Sequence, residues 1–250
     1  AYTRLGLRED VEPRVILRDR RHRLLGGGPG VTILEAAGVR RLGPAEGLTD
    51  PDIQALYEDG DRLWIGTADS GLFVMRNDTA VALAPLNPRL RRDIHGIVAD
   101  RRGTLWLTSS TGLLRVNKSD LERAANGAAS YVRVREFNRM DGLPSNDINS
   151  DYQSALLSDS AGGIWLPTAA GPVYFDPGAI ADDSIPPQVH IEQLVVDGRA
   201  ASLDGVVRVP QHPTLIDVTF AATNAQIPER VRAAYRVIGL DSTWIDVGRR

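Results

Sequence analysis

Cysteine is missing from the sequence, so disulfides and thiolate metal sites are excluded and the redox compartment leaves no mark on it. No stretch approaches the roughly 18 consecutive apolar residues of a membrane helix, and no charged-then-apolar leader opens the chain. The first residue is Ala1 and not a start methionine, which reads as a processed chain or a piece of a longer one. Basic charge is not in excess: 29 Lys and Arg stand against 32 Asp and Glu, a net charge of −3. Counterion release therefore has no global support, and no nucleic-acid partner is expected. The local clusters Arg20-Arg21-His22-Arg23 and Arg89 to Arg92 read as solvated turns between strands.

Signatures of catalysis are also missing. The four histidines, His22, His95, His190 and His212, form no i, i+4 pair, which leaves zinc without a ligand set. No G-x-S-x-G elbow marks a nucleophilic serine. Gly26-Gly27-Gly28-Pro29-Gly30 invites a phosphate-loop reading, but no Gly-Lys-Ser/Thr follows and a strand-type run comes next. No catalytic residue, cofactor or metal is assigned. Helical repeats would show apolar residues at i, i+3, i+4 and i+7, and no such stripe is seen.

What the sequence does contain is a repeat. Leu63-Trp64-Ile65-Gly66-Thr67, closed by Gly71-Leu72, returns as Leu105-Trp106-Leu107-Thr108-Ser109 with Gly112-Leu113, and as Ile164-Trp165-Leu166-Pro167-Thr168 with Gly171. A worn copy without the tryptophan, Leu24-Leu25-Gly26-Gly27-Gly28 with Gly30-Val31, comes first. Each copy is led by an acid: Asp19, Asp59, Asp100 and Asp159. The step from acid to the Trp position is six residues in three copies and five in the copy of Asp59 and Trp64.

Trp positions are spaced by 39, 42 and 59 residues, the last step holding an insertion between Val116 and Glu136. A period near 40 with short β-type runs and turn-forming Gly and Pro fits four-stranded propeller blades. The chain holds 24 Gly and 15 Pro, which suits many short strands and tight turns. Blades are expected near 15–43, 53–86, 94–137 and 148–176, within a propeller part spanning 1–183. Tyr131 to Arg135 reads as the outer strand of the third blade, and Ser119 to Ala125 with Asn126-Gly127 as a short capped helix. The fourth blade offers only three strands, which reads as a ring fragment.

At Asp182-Asp183-Ser184-Ile185-Pro186-Pro187 the repeat stops. From 188 to 250, strand-type runs (Val189 to Val196, Val206 to Val209, Leu215 to Phe220, Val231 to Ile238) alternate with turn signals such as Asp197-Gly198, as in part of a β-sandwich.

The tryptophans fit a packing role between adjacent sheets better than a sugar-stacking role, because a large ring at one strand position of every copy buries apolar area each time. The recurring aspartates fit hydrogen bonding to their own loop amides better than a hydrolytic carboxylate pair, since a ring would spread them apart.

The phrases Asp100-x-x-Gly103-x-Leu105-Trp106 and Leu63-Trp64-Ile65-Gly66-Thr67 with Gly71-Leu72 resemble the two-component regulator propeller repeat. Asp141 to Asn149 is similar to that family's inter-blade turn. Pro187 to Arg199 and Tyr235 to Trp244 are similar to the first strands of its three-tyrosine (Y_Y_Y), immunoglobulin-like module. The resemblance implies an all-β chain: a β-propeller fragment of about four blades plus the start of an immunoglobulin-like β-sandwich.

It also implies a periplasmic, extracytoplasmic sensor of a bacterial transmembrane signalling protein with histidine kinase or diguanylate cyclase output. Such a sensor takes a small ligand such as a carbohydrate, and is tethered to a membrane and homodimeric through its membrane-proximal module. Loop-borne Asn146, Asn149 and Tyr152 are the candidate ligand-binding residues. Two alternatives remain open, a propeller carbohydrate-active enzyme and a generic protein-docking propeller. The sialidase Asp-box resembles the repeat superficially, but its glycine stands closer to the aspartate than Gly103 stands to Asp100.

Overall fold

The computed structural model describes residues 13–148, 155–180, 188–209, 213–223, 233–239, 241 and 243–248. Chain contacts divide it into two units, Ala1–Ile180 and Ala181–Arg250.

The first unit holds four antiparallel sheets, each built from neighbouring strands in chain order. Sheet one contains β1 (Val15–Arg18), β2 (Leu24–Gly28), β3 (Gly30–Glu35) and β4 (Gly38–Leu42). Sheet two contains β5 (Ile53–Asp59), β6 (Arg62–Thr67), β7 (Leu72–Arg76) and β8 (Thr79–Ala82). Sheet three contains β9 (Gly96–Ala99), β10 (Thr104–Ser109), β11 (Gly112–Asn117) and β12 (Val134–Phe137). Sheet four has β13 (Leu157–Ser158), β14 (Ile164–Thr168) and β15 (Gly171–Phe175).

Strand alternation sends successive side chains to opposite faces, and in sheets two and three both faces meet a neighbouring sheet. On sheet two, Ile65, Phe73 and Met75 pack against Leu25, Val31, Ile33 and Leu42 of sheet one. The opposite face, with Trp64, Leu72 and Val74, packs against Leu105, Leu107 and Leu114 of sheet three. Trp106, Leu113 and Phe137 then turn from sheet three toward Ile164 and Leu166 of sheet four and Leu156 just before β13. Two-sided burial is why β10 is buried at every position although it contains Thr and Ser.

Trp64 and Trp106 are fully buried between sheets, as their repeat position predicts. Trp165 is a correction to that reading: it is 42% exposed, because it lies on the face of sheet four turned away from sheet three and no described residue covers it. Its ring instead packs on Tyr174, 4.8 Å away between centroids.

The insertion folds as α1 (Lys118–Ala125), capped by the Asn117 side chain, which accepts from the Ser119 amide. Leu121 and Ala124 enter the core between sheets two and three. The outer strand of sheet three is displaced from the expected Tyr131 to Arg135 and starts at Val134. The cause is a competing set of bonds: Val132 donates its amide to Leu86 O and accepts from Asn87 Nδ2, so that stretch is tied to the connection after sheet two.

In the second unit, β16 (Gln188–Val196) pairs with β17 (Arg199–Ala200) and β18 (Ile216–Thr223), and β19 (Ala233–Tyr235) pairs with β20 (Ile245–Gly248). The β16–β17 turn is Asp197-Gly198, both with positive φ as a tight hairpin requires. Val206 to Val209, read as a strand, joins no sheet among the described residues, and Val206 is exposed.

Candidate functional site

The recurring acids organise one end of the sheets. Asp100 accepts the amides of Arg102 and Thr104 on Oδ1 and the indole N–H of Trp106 on Oδ2, at 2.9, 3.0 and 3.0 Å. Asp159 does the same with the amides of Ala161, Gly162 and Gly163 and the indole of Trp165. The Trp165 indole and those three amides hold the Asp159 carboxyl below its ordinary value, against a smaller opposing effect of burial. Two of the four acids therefore close their own turn and pin their own tryptophan.

Copy two departs, because its five-residue step leaves Asp59 paired with Arg62 across a tight hairpin. Asp59 instead accepts from Lys118 Nζ at 2.6 Å, tying sheet two to α1. Trp64 Nε1 is consequently buried with no hydrogen-bond partner among the described residues. A prediction follows from the contrast. Trp64→Phe removes an unsatisfied N–H and should cost less than about 1 kcal/mol, whereas Trp106→Phe breaks a bond to a carboxylate and should cost about 1.5–3 kcal/mol. Urea unfolding of the two variants checks the order.

Copy one departs further, since Leu25 stands at the Trp position. With no indole to bind, Asp19 Oδ2 accepts from Arg23 Nε at 2.7 Å, while Oδ1 accepts the amides of Arg21 and Arg23. Burial opposes ionisation of Asp19, but the bonds and charge of Arg23, with the Arg21 amide, outweigh it and keep the carboxyl below its ordinary value.

A cleft of about 480 Å³ opens here between sheets one and two, at the end carrying the β1–β2, β3–β4, β5–β6 and β7–β8 hairpins. Its floor is apolar: Leu25, Ile33, Leu42, Leu63 and Met75. Its walls carry four guanidinium groups, from Arg21, Arg23, Arg40 and Arg62. Five carboxylates, from Asp19, Glu35, Glu58, Asp61 and Asp78, are interspersed with them.

Most of these charges are matched within the cleft. Arg40 clamps Asp78 with both terminal nitrogens, at 2.8 and 3.2 Å, and this bond holds the Asp78 carboxyl below its ordinary value although burial opposes it. Arg62 lies 3.3 Å from both Asp61 and Glu122, and Asp61 also meets Arg76 at 2.7 Å. Two groups are left over. The Arg21 guanidinium has no hydrogen bond or ion pair with a described residue, although, after Arg40, its charge helps to lower the Asp78 pKa, and among the described residues the Glu58 carboxylate takes only the Arg20 amide, at 2.9 Å.

At the other end of the strands, Asp93 accepts from Ser110 Oγ at 2.7 Å and meets His95 Nε2 at 3.1 Å. Serine donates to the carboxylate and not to the imidazole, so this trio lacks the serine-to-base bond of a nucleophilic site. Burial keeps the His95 pKa below 6.5, with Asp93 opposing it. Nearby Asp50 is buried. Burial opposes its ionisation, but the amides of Asp69, Asp52 and Ser70 and the Thr67 hydroxyl prevail and lower its pKa.

These shifts share one sign. For each carboxylate lowered below 3.8, and for His95 lowered below 6.5, the unfolded chain binds the proton first as pH falls. Stability is thus expected to hold above about pH 7, to decline first below the ordinary histidine pKa of 6.5, and to fall again below 3.8. Urea midpoints against pH, with His95→Gln lacking the first decline, are the check.

Among the loop residues singled out from sequence, Asn146 is exposed and its side-chain oxygen accepts the Arg139 amide at 2.8 Å. Asn149 and Tyr152 lie outside the described residues. The Asn146 turn and the cleft sit at opposite strand ends, so the structure does not bring them together. Sequence reasoning passed over Arg21 and Arg23 as a solvated turn; the signal available was the missing tryptophan at position 25.

Antiparallel, chain-ordered sheets stacked face on face by a repeated aromatic position define blades of the β-propeller class. The family model of the two component regulator propeller matches residues 47–69, from the turn before β5 to just past β6. Histidine kinase P4 of Formosa agariphila is 21% identical over 192 residues, covering 71% of this chain and 13% of the kinase.

Among solved structures, the chain resembles one described as the extracellular domain of a hybrid two component system from B. thetaiotaomicron. The TM-score is 0.59 and the identity 18%, over 95% of this chain and 33% of that one. A second such extracellular domain from the same organism gives 0.49 at 17% identity, over 74% of this chain and 26% of that one. The chain thus spans a third or less of each of these relatives. No helix among the described residues is long and apolar enough to cross a membrane.

Proposed function

We propose that this chain is the ligand-sensing, extracytoplasmic region of a bacterial transmembrane signalling protein, with histidine kinase or diguanylate cyclase output. The observation that carries the proposal is the conjunction of stacked propeller sheets, a two component regulator propeller match at 47–69, and an alignment to a histidine kinase over most of the chain. A small molecule binds the propeller sheets and the second unit, an immunoglobulin-like module, relays the change toward the membrane, with homodimerisation as the coupling step. The periplasm is the compartment this arrangement requires. A ligand drives such a relay only if it binds one of two arrangements more tightly. The region has no catalytic task in this scheme.

The test uses the full-length protein in membranes. Alkaline phosphatase fused after residue 180 should be active only if the chain lies outside the cytoplasm. Removal of the second unit should abolish ligand-dependent output while leaving ligand binding to the propeller unit in place. A cytoplasmic location, or turnover of an oligosaccharide by the purified chain, overturns the proposal.

A further inference from the structure

The cleft between sheets one and two differs from its two counterparts in what occupies the space between the sheets. Trp64 fills it between sheets two and three, and Trp106 fills it between sheets three and four. Copy one supplies Leu25, a smaller side chain, and turns its turn-closing Asp19 toward Arg23. The result is an open cleft at a place where the repeat otherwise closes.

Its charges decide what it accepts. Four guanidinium and five carboxylate groups line the cleft together, so a ligand of one sign only, a phosphate or a polyamine, would meet like charge as well as opposite charge. After pairing among the described residues, the groups left are one cation, Arg21, and one anion, Glu58, whose carboxylate reaches across to the Arg20 amide of the same turn. Arg21 belongs to the β1–β2 turn of sheet one, and Glu58 to β5 of sheet two. An unpaired guanidinium is suited to a carboxylate, and an available carboxylate to an ammonium. Beneath them lie Leu25, Ile33, Leu42 and Met75, nearly buried, and the half-buried Leu63, which give a small apolar patch in a largely polar cleft. The volume of about 480 Å³ lies within the range of small-molecule sites, roughly 300–1,000 Å³.

We propose that this cleft binds a zwitterion with an apolar side chain, of amino-acid to dipeptide size, with its carboxylate on Arg21, its ammonium on Glu58 and its side chain on the Leu25 floor. The inference rests on the sensing role proposed above and names the ligand class for it. Because the two charged partners come from different sheets, the bound zwitterion bridges sheets one and two and favours the arrangement in which they stand at this separation.

Calorimetry on the purified chain with L-leucine and Leu-Leu tests the cleft. N-acetyl-leucine lacks the ammonium, leucinamide lacks the carboxylate, and maltose is the neutral polyhydroxyl control. At least one zwitterion should bind, with each singly charged analogue at least about tenfold weaker. Arg21→Met should weaken the zwitterion by about tenfold or more while leaving leucinamide unchanged, and Glu58→Gln should do the same while leaving N-acetyl-leucine unchanged. Leu25→Trp restores the side chain of the other copies and should abolish binding; should it fail to fold, the exposed Arg21 variant still decides. Absence of binding by both zwitterions, equal binding by leucinamide, or maltose binding lost in the Leu25→Trp variant overturns the inference. If full-length output responds to some ligand but is indifferent to all three substitutions, the sensing role stands and the cleft assignment falls.

Discussion

Replacing Trp106 with alanine is expected to lower the unfolding free energy of the first unit by about 3–5 kcal/mol, the range for removing a large aromatic from a packed core. The ring is fully buried, lies 5.7 Å from the Phe137 ring and 4.9 Å from that of Phe175, and has the Arg115 guanidinium over it at 5.7 Å. Phe175 belongs to sheet four, so the cavity would open at the junction of two blades and loosen both. Loss of the indole also leaves Asp100 Oδ2 without its donor. Trp165→Ala is the control, because the same repeat position there is 42% exposed. A loss of about 1–2 kcal/mol is expected, from its contact with Tyr174 and its solvent-exposed bond to Asp159. Urea unfolding of both variants measures the difference; equal losses would mean that the tryptophans do not join neighbouring sheets.

The second large effect concerns the glycine that closes each copy. Gly71 has φ +79, and a Cβ there would stand 1.8 Å from the Leu90 carbonyl oxygen. Gly71→Ala must absorb left-handed backbone strain of about 1–2 kcal/mol and a backbone clash of about 1–3 kcal/mol, a total of about 2–5 kcal/mol. Gly171 occupies the matching place in copy four with φ +115, yet nothing lies within 4 Å of its Cβ position. Gly171→Ala should therefore cost only the backbone strain, about 1–2 kcal/mol. Thermal unfolding of the pair separates conformation from close approach; equal shifts would remove the role given to the Leu90 carbonyl.

Much of the architecture was legible in the chain because propeller blades are local. Each sheet is built from strands in sequence order joined by short turns, so a forty-residue window holds nearly all its backbone pairing. The turn-closing role of Asp100 and Asp159 was also legible, since it spans only a few residues. The five-residue step in copy two is visible in the sequence, but its consequence, a Trp64 indole N–H without a partner among the described residues, is seen only in the fold. The outer strand of sheet three was misplaced because Val132 bonds to Leu86 and Asn87, over forty residues away, and periodicity carries no information about such a competitor.

The candidate site shows the same division. The loss of tryptophan at position 25 is plain in the sequence, and it identifies copy one as the place where the repeat fails to fill its own seam. That Arg21 of one copy and Glu58 of the next line one cleft is a product of stacking alone. A strand's hydrophobic pattern fixes which face each side chain takes, because alternation is a property of the local backbone. Distances between hairpins of different sheets are set by how two filled faces interlock, and there the volume missing from one residue decides whether a seam closes or stays open.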